Sequence, residues 1–390
     1  MWRWSAVTED REDILEELRD IVDDPDLVET PPREAFDLWM DQQDKAESTL
    51  QSYRYRVRPF LQFLSERGID DLTELTSRDI KEFEAQRRAS SLQRTTINNQ
   101  FGTIRQFLEY CEDLDAIAAD TVAALDVPDL SKDERVNTER LPTERAERIL
   151  DNLSRYRYAS RAHVLFLLMW RTTARIGTLR ALDVDDVYLD RDDLDRLRTE
   201  FAEEGYAQHV IDEILEDAVV PFIYPRHSEE TPLKKQNNGE RVINLADWVG
   251  EILTEYLDVN RPDITDAYGR DPLLPTQRGE GRLSTSAIRN WAYIYTQPCE
   301  FGGECPHDRD PETCEAREHG HGSKCPSSVS PHKIRTGSIT WHRDKGWPIQ
   351  ALAQRANTSE AMIKGVYDQP EQLVRGASRR QHLDLLEGDR

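Results

Sequence analysis

The residues predict a mainly α-helical chain with a small β-sheet, an α+β fold divided between two domains. Three observations carry this. Apolar residues recur at helical spacing through most of the first 127 residues. Runs with strand character are confined to Val219–Tyr224 and Arg241–Leu245, with the turn signal Asn237-Asn238-Gly239 between them. At 390 residues the chain is too long for one ordinary domain.

Taken in order, residues 1–30 read as an acidic leader helix, Glu9 to Val22, ended by Asp23-Asp24-Pro25. Residues 31–127 read as an all-helical domain. Ala35-Phe36-Leu38-Trp39 opens it, and Ser48-Thr49 is expected to cap a helix carrying Tyr53, Val57, Phe60, Leu61 and Leu64 on one face. Gly68 stops that helix. Thr76-Ser77-Arg78-Asp79 has the form of a capping box for a helix to Arg88, and a further helix is expected from Leu92 to Glu112. Residues 128–142 form a polar linker, and 143–390 form the second domain. Within it, a helix starts at Thr143, a buried helix runs from Arg161 to Trp170, and another spans Asp247 to Val259. His163 on the buried helix reads as a satisfied core histidine. Two insertions stand out, an acidic helical one at 191–218 and a cysteine-rich one at 297–327.

The net charge is −24 and only nine residues are lysine, so arginine supplies nearly all of the 51 cations. Such a surface suits very high salt, where self-repulsion is screened, and points to a salt-loving prokaryote. No apolar run approaches the ~20 residues of a membrane span, and no signal core opens the chain, so a cytoplasmic protein is expected. Against this acidic background two stretches contain no acid. Ser48–Ser65 holds Arg54, Arg56 and Arg58; Ala85–Leu108 holds Arg87, Arg88, Arg94 and Arg105. Local cationic patches of this kind are candidates for phosphate contacts on nucleic acid.

The chemistry-bearing residues lie in the second domain. Thr172-Thr173-Ala174-Arg175-Ile176-Gly177-Thr178-Leu179 sets Arg175 at a helix start. Pro331-His332-Lys333-Ile334-Arg335 puts His332 and Arg335 on one helix face, three apart. Tyr367 follows Arg335 by 32 residues. Two arginines, a histidine and a late tyrosine are the groups needed to attack a phosphodiester with a phenol. Guanidinium is planar, always charged and bidentate to phosphate oxygens.

This pattern resembles the tyrosine recombinase (phage integrase, Xer-like) family, whose signature is Arg…Lys…His-x-x-Arg…His/Trp…Tyr. The resemblance spans about residues 30 to 375. It implies a helical core-binding domain that clamps one face of DNA, and a catalytic domain completing a C-shaped clamp. It implies that Arg175 and Arg335 bracket a scissile phosphate, that His332 contacts it or relays a proton, and that Tyr367 is the nucleophile. The product would be a 3′-phosphotyrosine with a free 5′-hydroxyl, made without ATP or metal. The family's leaving-group acid is a lysine in a β-hairpin turn. Between Lys132 and Lys324 only Lys234 and Lys235 occur, and strand alternation assigns one or the other according to loop length. Two positions depart from the family: Thr178 stands where an acid is usual, and Thr358, beside Asn357, stands nine residues before Tyr367 where His or Trp is usual. Those departures keep open a DNA-binding protein that does not cut. A type IB topoisomerase is the other alternative. Double-stranded DNA is the implied partner, with four protomers synapsing two duplexes and Gly376–Leu386 packing on a neighbour.

Cys299, Cys305, Cys314 and Cys325 fall within 27 positions, among His307, His319 and His321. Four thiolates, or three with a histidine, would fold a loop lacking an apolar core around a structural zinc. Cys111 reads as a small buried residue.

Overall fold

A computed structural model describes residues 27–131, 134, 139–277 and 279–367, the side chains of Val366 and Tyr367 excepted. The leader helix and the Gly376–Leu386 segment fall outside the described residues, apart from residues 27–30. The chain divides into two compact units, Met1–Asn137 and Thr138–Arg390. No described helix is long and apolar enough to cross a membrane. The fold is mostly helical with one three-stranded antiparallel sheet, as the sequence predicts.

The first unit contains α1 (Pro32–Asp41), α2 (Glu47–Arg67), α3 (Ser77–Ala89), α4 (Arg94–Asp113) and the short α5 (Ala119–Ala124). Its core is aromatic: Phe36, Trp39, Phe60, Phe83, Phe101 and Phe107 are all buried. Phe36 meets Phe107 edge-on at 5.7 Å, and Trp39 stacks on Tyr53 at 5.3 Å. Helix α2 begins one turn-position earlier than its Ser48-Thr49 signal, after Ala46, and has no side-chain cap. It ends at Gly68, whose φ of 71° is the left-handed C-terminal conformation. The capping box of α3 forms as expected between Thr76 and Asp79. Cys111 is fully buried, and burial pushes its thiol up to about 12.

The second unit begins with α6 (Thr143–Tyr156) and α7 (Arg161–Arg171). Every residue of α7 from His163 to Trp170 is buried. His163 Nδ1 accepts from Ala159 N at 3.2 Å, and desolvation lowers its pKa to about 4, so it is a neutral core histidine. Then follow α8 (Ile176–Ala181), β1 (Val187–Tyr188), α9 (Leu194–Glu203), α10 (Gln208–Glu216), β2 (Phe222–Ile223) and β3 (Ile243–Asn244). β2 is central, with Val187 opposite Ile223 and Ile223 opposite Ile243. Side chains alternate across the sheet. Val187, Ile223 and Ile243 face the main core, while Tyr188 and Phe222, stacked at 4.6 Å, face the other way. That second face is covered by Leu194, Leu197, Ile211 and Leu215 of α9 and α10. Residues 191–218 therefore form a two-helix cover with its own small core.

The chain continues through α11 (Asp247–Glu255), α12 (Thr285–Tyr295), α13 (Pro331–Asp344), α14 (Ile349–Ala356) and α15 (Glu360–Met362), which runs into a wide turn over Ile363–Tyr367. Helix α13 lies directly against α7. A Cβ on Gly337 would stand 2.3 Å from Leu141 O and 3.1 Å from the Trp170 ring, so only glycine permits this approach. Ser338 Oγ donates to Trp170 O in the same contact, and Leu141 N donates to Lys333 O at 3.0 Å.

Candidate active site

Helix α7 ends at Thr172, and the backbone turns sharply at Thr173, where φ is +57°. A β-branched residue rarely takes this conformation, which marks a strained position. The turn delivers Arg175 to the N-cap of α8 and leaves the Thr173 carbonyl facing α13. Arg335, on α13, is 4 % exposed; its Nη1 donates to Thr173 O and its Nη2 to Ala356 O at 2.6 Å. Arg175 Nη1 donates to Asn357 O at 3.0 Å. The two arginines are thus brought together from positions 160 apart in the sequence, by the α7–α13 contact.

His332 sits one turn before Arg335 and is exposed. Its pKa is lowered from 6.5, first by partial burial and then by the charges of Arg335, Arg175 and Lys234. It is therefore neutral near pH 7, able to accept or donate a proton. The Lys234 charge thus acts on His332.

The lysine turn differs from the expected hairpin. β2 and β3 are two residues each, and no further strand lies in the long connection between them. Lys235 and Gln236 have φ of 78° and 52°, and Gln236–Gly239 forms a tight 3₁₀ turn. Strand alternation therefore does not reach the lysines. Gly239 closes the turn: its Cβ position lies 2.7 Å from Lys234 O. Asn357, with φ of 47°, caps α14, and its Nδ2 lies 3.5 Å from Lys234 O. Thr358 is half-buried and lines a cavity of about 640 Å³ with Asn238, Arg241 and Asn357. Thr178 is buried on α8. Tyr367 is the last residue of the Ile363–Tyr367 turn, whose Ile363 packs with Ile339, Leu352 and Ala356; the tyrosine's side chain is outside the described set.

Two arginines at this centre carry no assignment from the sequence. Arg241 donates from Nε to Arg355 O at 2.8 Å and from Nη1 to Gly239 O at 2.8 Å. Arg355 donates to Asn244 O at 2.9 Å and Arg171 O at 2.8 Å. Burial pulls both down to about 10, with Arg175 and Arg355 also acting on Arg241. The signal available was position: Arg241 ends the lysine stretch and Arg355 precedes Asn357.

In the first unit, the arginines of the two acid-free stretches have varied surroundings. Arg54 pairs with Glu47 at 2.7 Å, Arg56 donates to Thr103 Oγ1 at 3.3 Å, and Arg58 is exposed. Arg87 donates to Gln100 at 2.8 Å; Arg88 pairs with Glu84 at 2.8 Å and Asp126 at 3.1 Å. Arg94 pairs with Glu134 at 2.9 Å, and Arg105 donates to Leu125 O. Acids distant in sequence therefore sit beside several of these cations.

The expected zinc node is not supported. Among the described residues no group of three or more His, Cys, Asp or Glu is arranged to hold a metal. Cys299, Cys305, Cys314 and Cys325 are free thiols, and their spacings of five to ten residues form no paired knuckle. Polar tethers hold the segment instead. Gln297, 2 % exposed, donates to Ala316 O at 3.0 Å and Gly322 O at 3.3 Å. Glu300 pairs with Arg157 at 3.1 Å and Arg317 at 2.6 Å, and His307 bonds Ser327 at 2.9 Å.

Residues 36–113 match the model of the phage integrase N-terminal SAM-like domain. A search of curated proteins returns no match. Among solved structures, the N-terminal domain of a phage integrase/site-specific recombinase from Haloarcula marismortui is 33 % identical, covering 26 % of this chain and 99 % of that one, with a TM-score of 0.25. The Tn1549 transposon integrase in complex with a circular-intermediate DNA is 14 % identical over 90 % of this chain and 100 % of that one, with a TM-score of 0.55. The lambda integrase dimer bound to a COC′ core site is 12 % identical over 88 % and 97 %, with a TM-score of 0.54. The last two share the fold. The first unit thus carries a phage integrase N-terminal SAM-like domain, and the chain as a whole shares the fold of these integrases.

Proposed function

We propose that the protein is a site-specific DNA recombinase or integrase that cuts and rejoins double-stranded DNA through a 3′-phosphotyrosine. The observation that supports this is that Arg335 and Arg175 bond successive carbonyls, Ala356 O and Asn357 O, of a segment that ends at Tyr367, with Asn357 Nδ2 3.5 Å from Lys234 O. Arg175 and Arg335 bind the non-bridging oxygens of the scissile phosphate, where charge grows in the transition state. Both are already oriented by backbone carbonyls, so little reorganisation is needed. Neutral His332 takes the phenolic proton of Tyr367 or donates to the phosphate. The Tyr367 oxygen bonds phosphorus, the bond to the 5′-oxygen breaks, and Lys234 gives that oxygen its proton. Rejoining reverses these steps, so no ATP or catalytic metal enters.

Cationic residues of α2, α3 and α4, Arg54, Arg56 and Arg58 foremost, supply phosphate contacts in the first unit. Four protomers synapse two duplexes. A DNA-binding protein that does not cut is the second reading, and Thr178 and Thr358 favour it. Sequencing of genomic fragments covalently attached to the protein separates the two. Fragments sharing one junction identify a recombinase and its site; recovery of none supports the second reading.

A further inference from the structure

Three successive carbonyls at the C-terminal end of α14 accept from three arginines. Arg355 O accepts from Arg241, Ala356 O from Arg335, and Asn357 O from Arg175. A helix C-terminus presents unpaired carbonyls and a partial negative charge. Here that end holds the guanidiniums in place. Arg335 and Arg175 are the phosphate ligands of the proposed reaction, so the same turn sets where both point. Arg241 has a different second bond, to Gly239 O at 2.8 Å, on the turn whose Lys234 carbonyl lies against Gly239 and Asn357. Its remaining nitrogen, Nη2, is buried with no hydrogen-bond partner among the described residues. An arginine kept beside other cations with an orphan donor costs stability, which calls for a role other than packing.

We propose that Arg241 is a positioning residue for strand cleavage, tying the Lys234 turn to the helix end that orients Arg175 and Arg335. The proposal rests on the recombinase reading and deepens it. Arg241 does not touch DNA in this account. It fixes the distance between the proton donor and the phosphate ligands, so its loss strands Lys234 away from the leaving oxygen.

The test uses the full chain and a nicked duplex carrying the recovered junction, made with either oxygen or sulfur as the 5′-bridging atom. A thiolate leaves without a proton because its conjugate acid, with pKa about 8.5, is far stronger than an alcohol. On the oxygen substrate Arg241→Ala should form the covalent adduct roughly 100-fold more slowly, the scale of a 1 Å misplacement. On the sulfur substrate it should approach the wild-type rate, as Lys234→Ala should, while DNA affinity stays unchanged. Arg241→Lys keeps the charge but not both bonds; it should behave like the alanine variant, and it carries the test if that variant does not fold. Equal slowing on both substrates, or no slowing with only a lower melting temperature, overturns the proposal. Failure of the wild type to form any adduct instead overturns the recombinase reading, and this proposal with it.

Discussion

Gly337→Ala should have the opposite sign from an ordinary helical glycine. In an exposed helix, replacing Gly by Ala stabilises by about 1 kcal/mol. Here the new Cβ would lie 2.3 Å from Leu141 O, and reaching ordinary contact needs about 1 Å of separation between α13 and the chain at Leu141. The Trp170 ring, 3.1 Å away, blocks sideways relief. Overpacking of this kind costs about 1–3 kcal/mol, or roughly 2–12 °C in Tm for a unit of this size. The displacement passes to Arg335, two residues away on the same helix, which bonds Thr173 O and Ala356 O. A 1 Å error there should cut cleavage by about 100-fold. Differential scanning calorimetry and adduct formation on a nicked duplex, well below the variant's Tm, measure the two effects. An alanine variant that melts at or above the wild-type temperature and cleaves normally would refute the reasoning.

Three further outcomes are expected. Lys234→Ala should lose adduct formation on the oxygen substrate by roughly 10²–10⁴-fold, the range of general acid catalysis, while Lys235→Ala keeps it within a few-fold; the reverse order would reassign the acid. Asp186 is pushed up to about 7, chiefly by burial, from an unfolded value near 3.8. The folded state therefore holds the extra proton, and stability is lost as pH rises from about 4 through 7. Asp186→Asn removes that loss, so its Tm relative to wild type should climb between pH 5 and pH 8; a constant difference would contradict the shift. Because Gln297 and Glu300 tether the cysteine segment, a chelator should leave Tm unchanged, whereas Gln297→Ala should lower it by an amount corresponding to about 1–3 kcal/mol for orphaned buried groups. Melting that falls on chelation would restore a metal role.

Local signals in the sequence were readable because they depend on near neighbours. The Thr76–Asp79 capping box, the Gly68 stop and the one-face spacing of His332 and Arg335 each lie within one helical turn. What pairs across long separations was not readable. Arg241 finds its acceptor 114 residues away, and Arg88 meets Asp126, 38 residues on, so an acid-free stretch of sequence is not an acid-free surface. The lysine register failed for a related reason: Lys235 and Gln236 take positive φ, which ends strand alternation before it reaches the turn. The spacing of the cysteines carried no paired motif, and the polar tethers that hold their segment come from residues such as Arg157, 143 positions from Glu300.

The central claim is that Tyr367 is the nucleophile of a DNA-cutting centre built on Arg175 and Arg335. The direct measurement is covalent trapping on a nicked duplex with wild type and Tyr367→Phe, alongside DNA affinity for both. The substitution removes one oxygen and leaves every arginine in place. The account predicts an adduct at Tyr367 for wild type, none for the phenylalanine variant, and equal DNA affinity. An adduct that persists in Tyr367→Phe would contradict it.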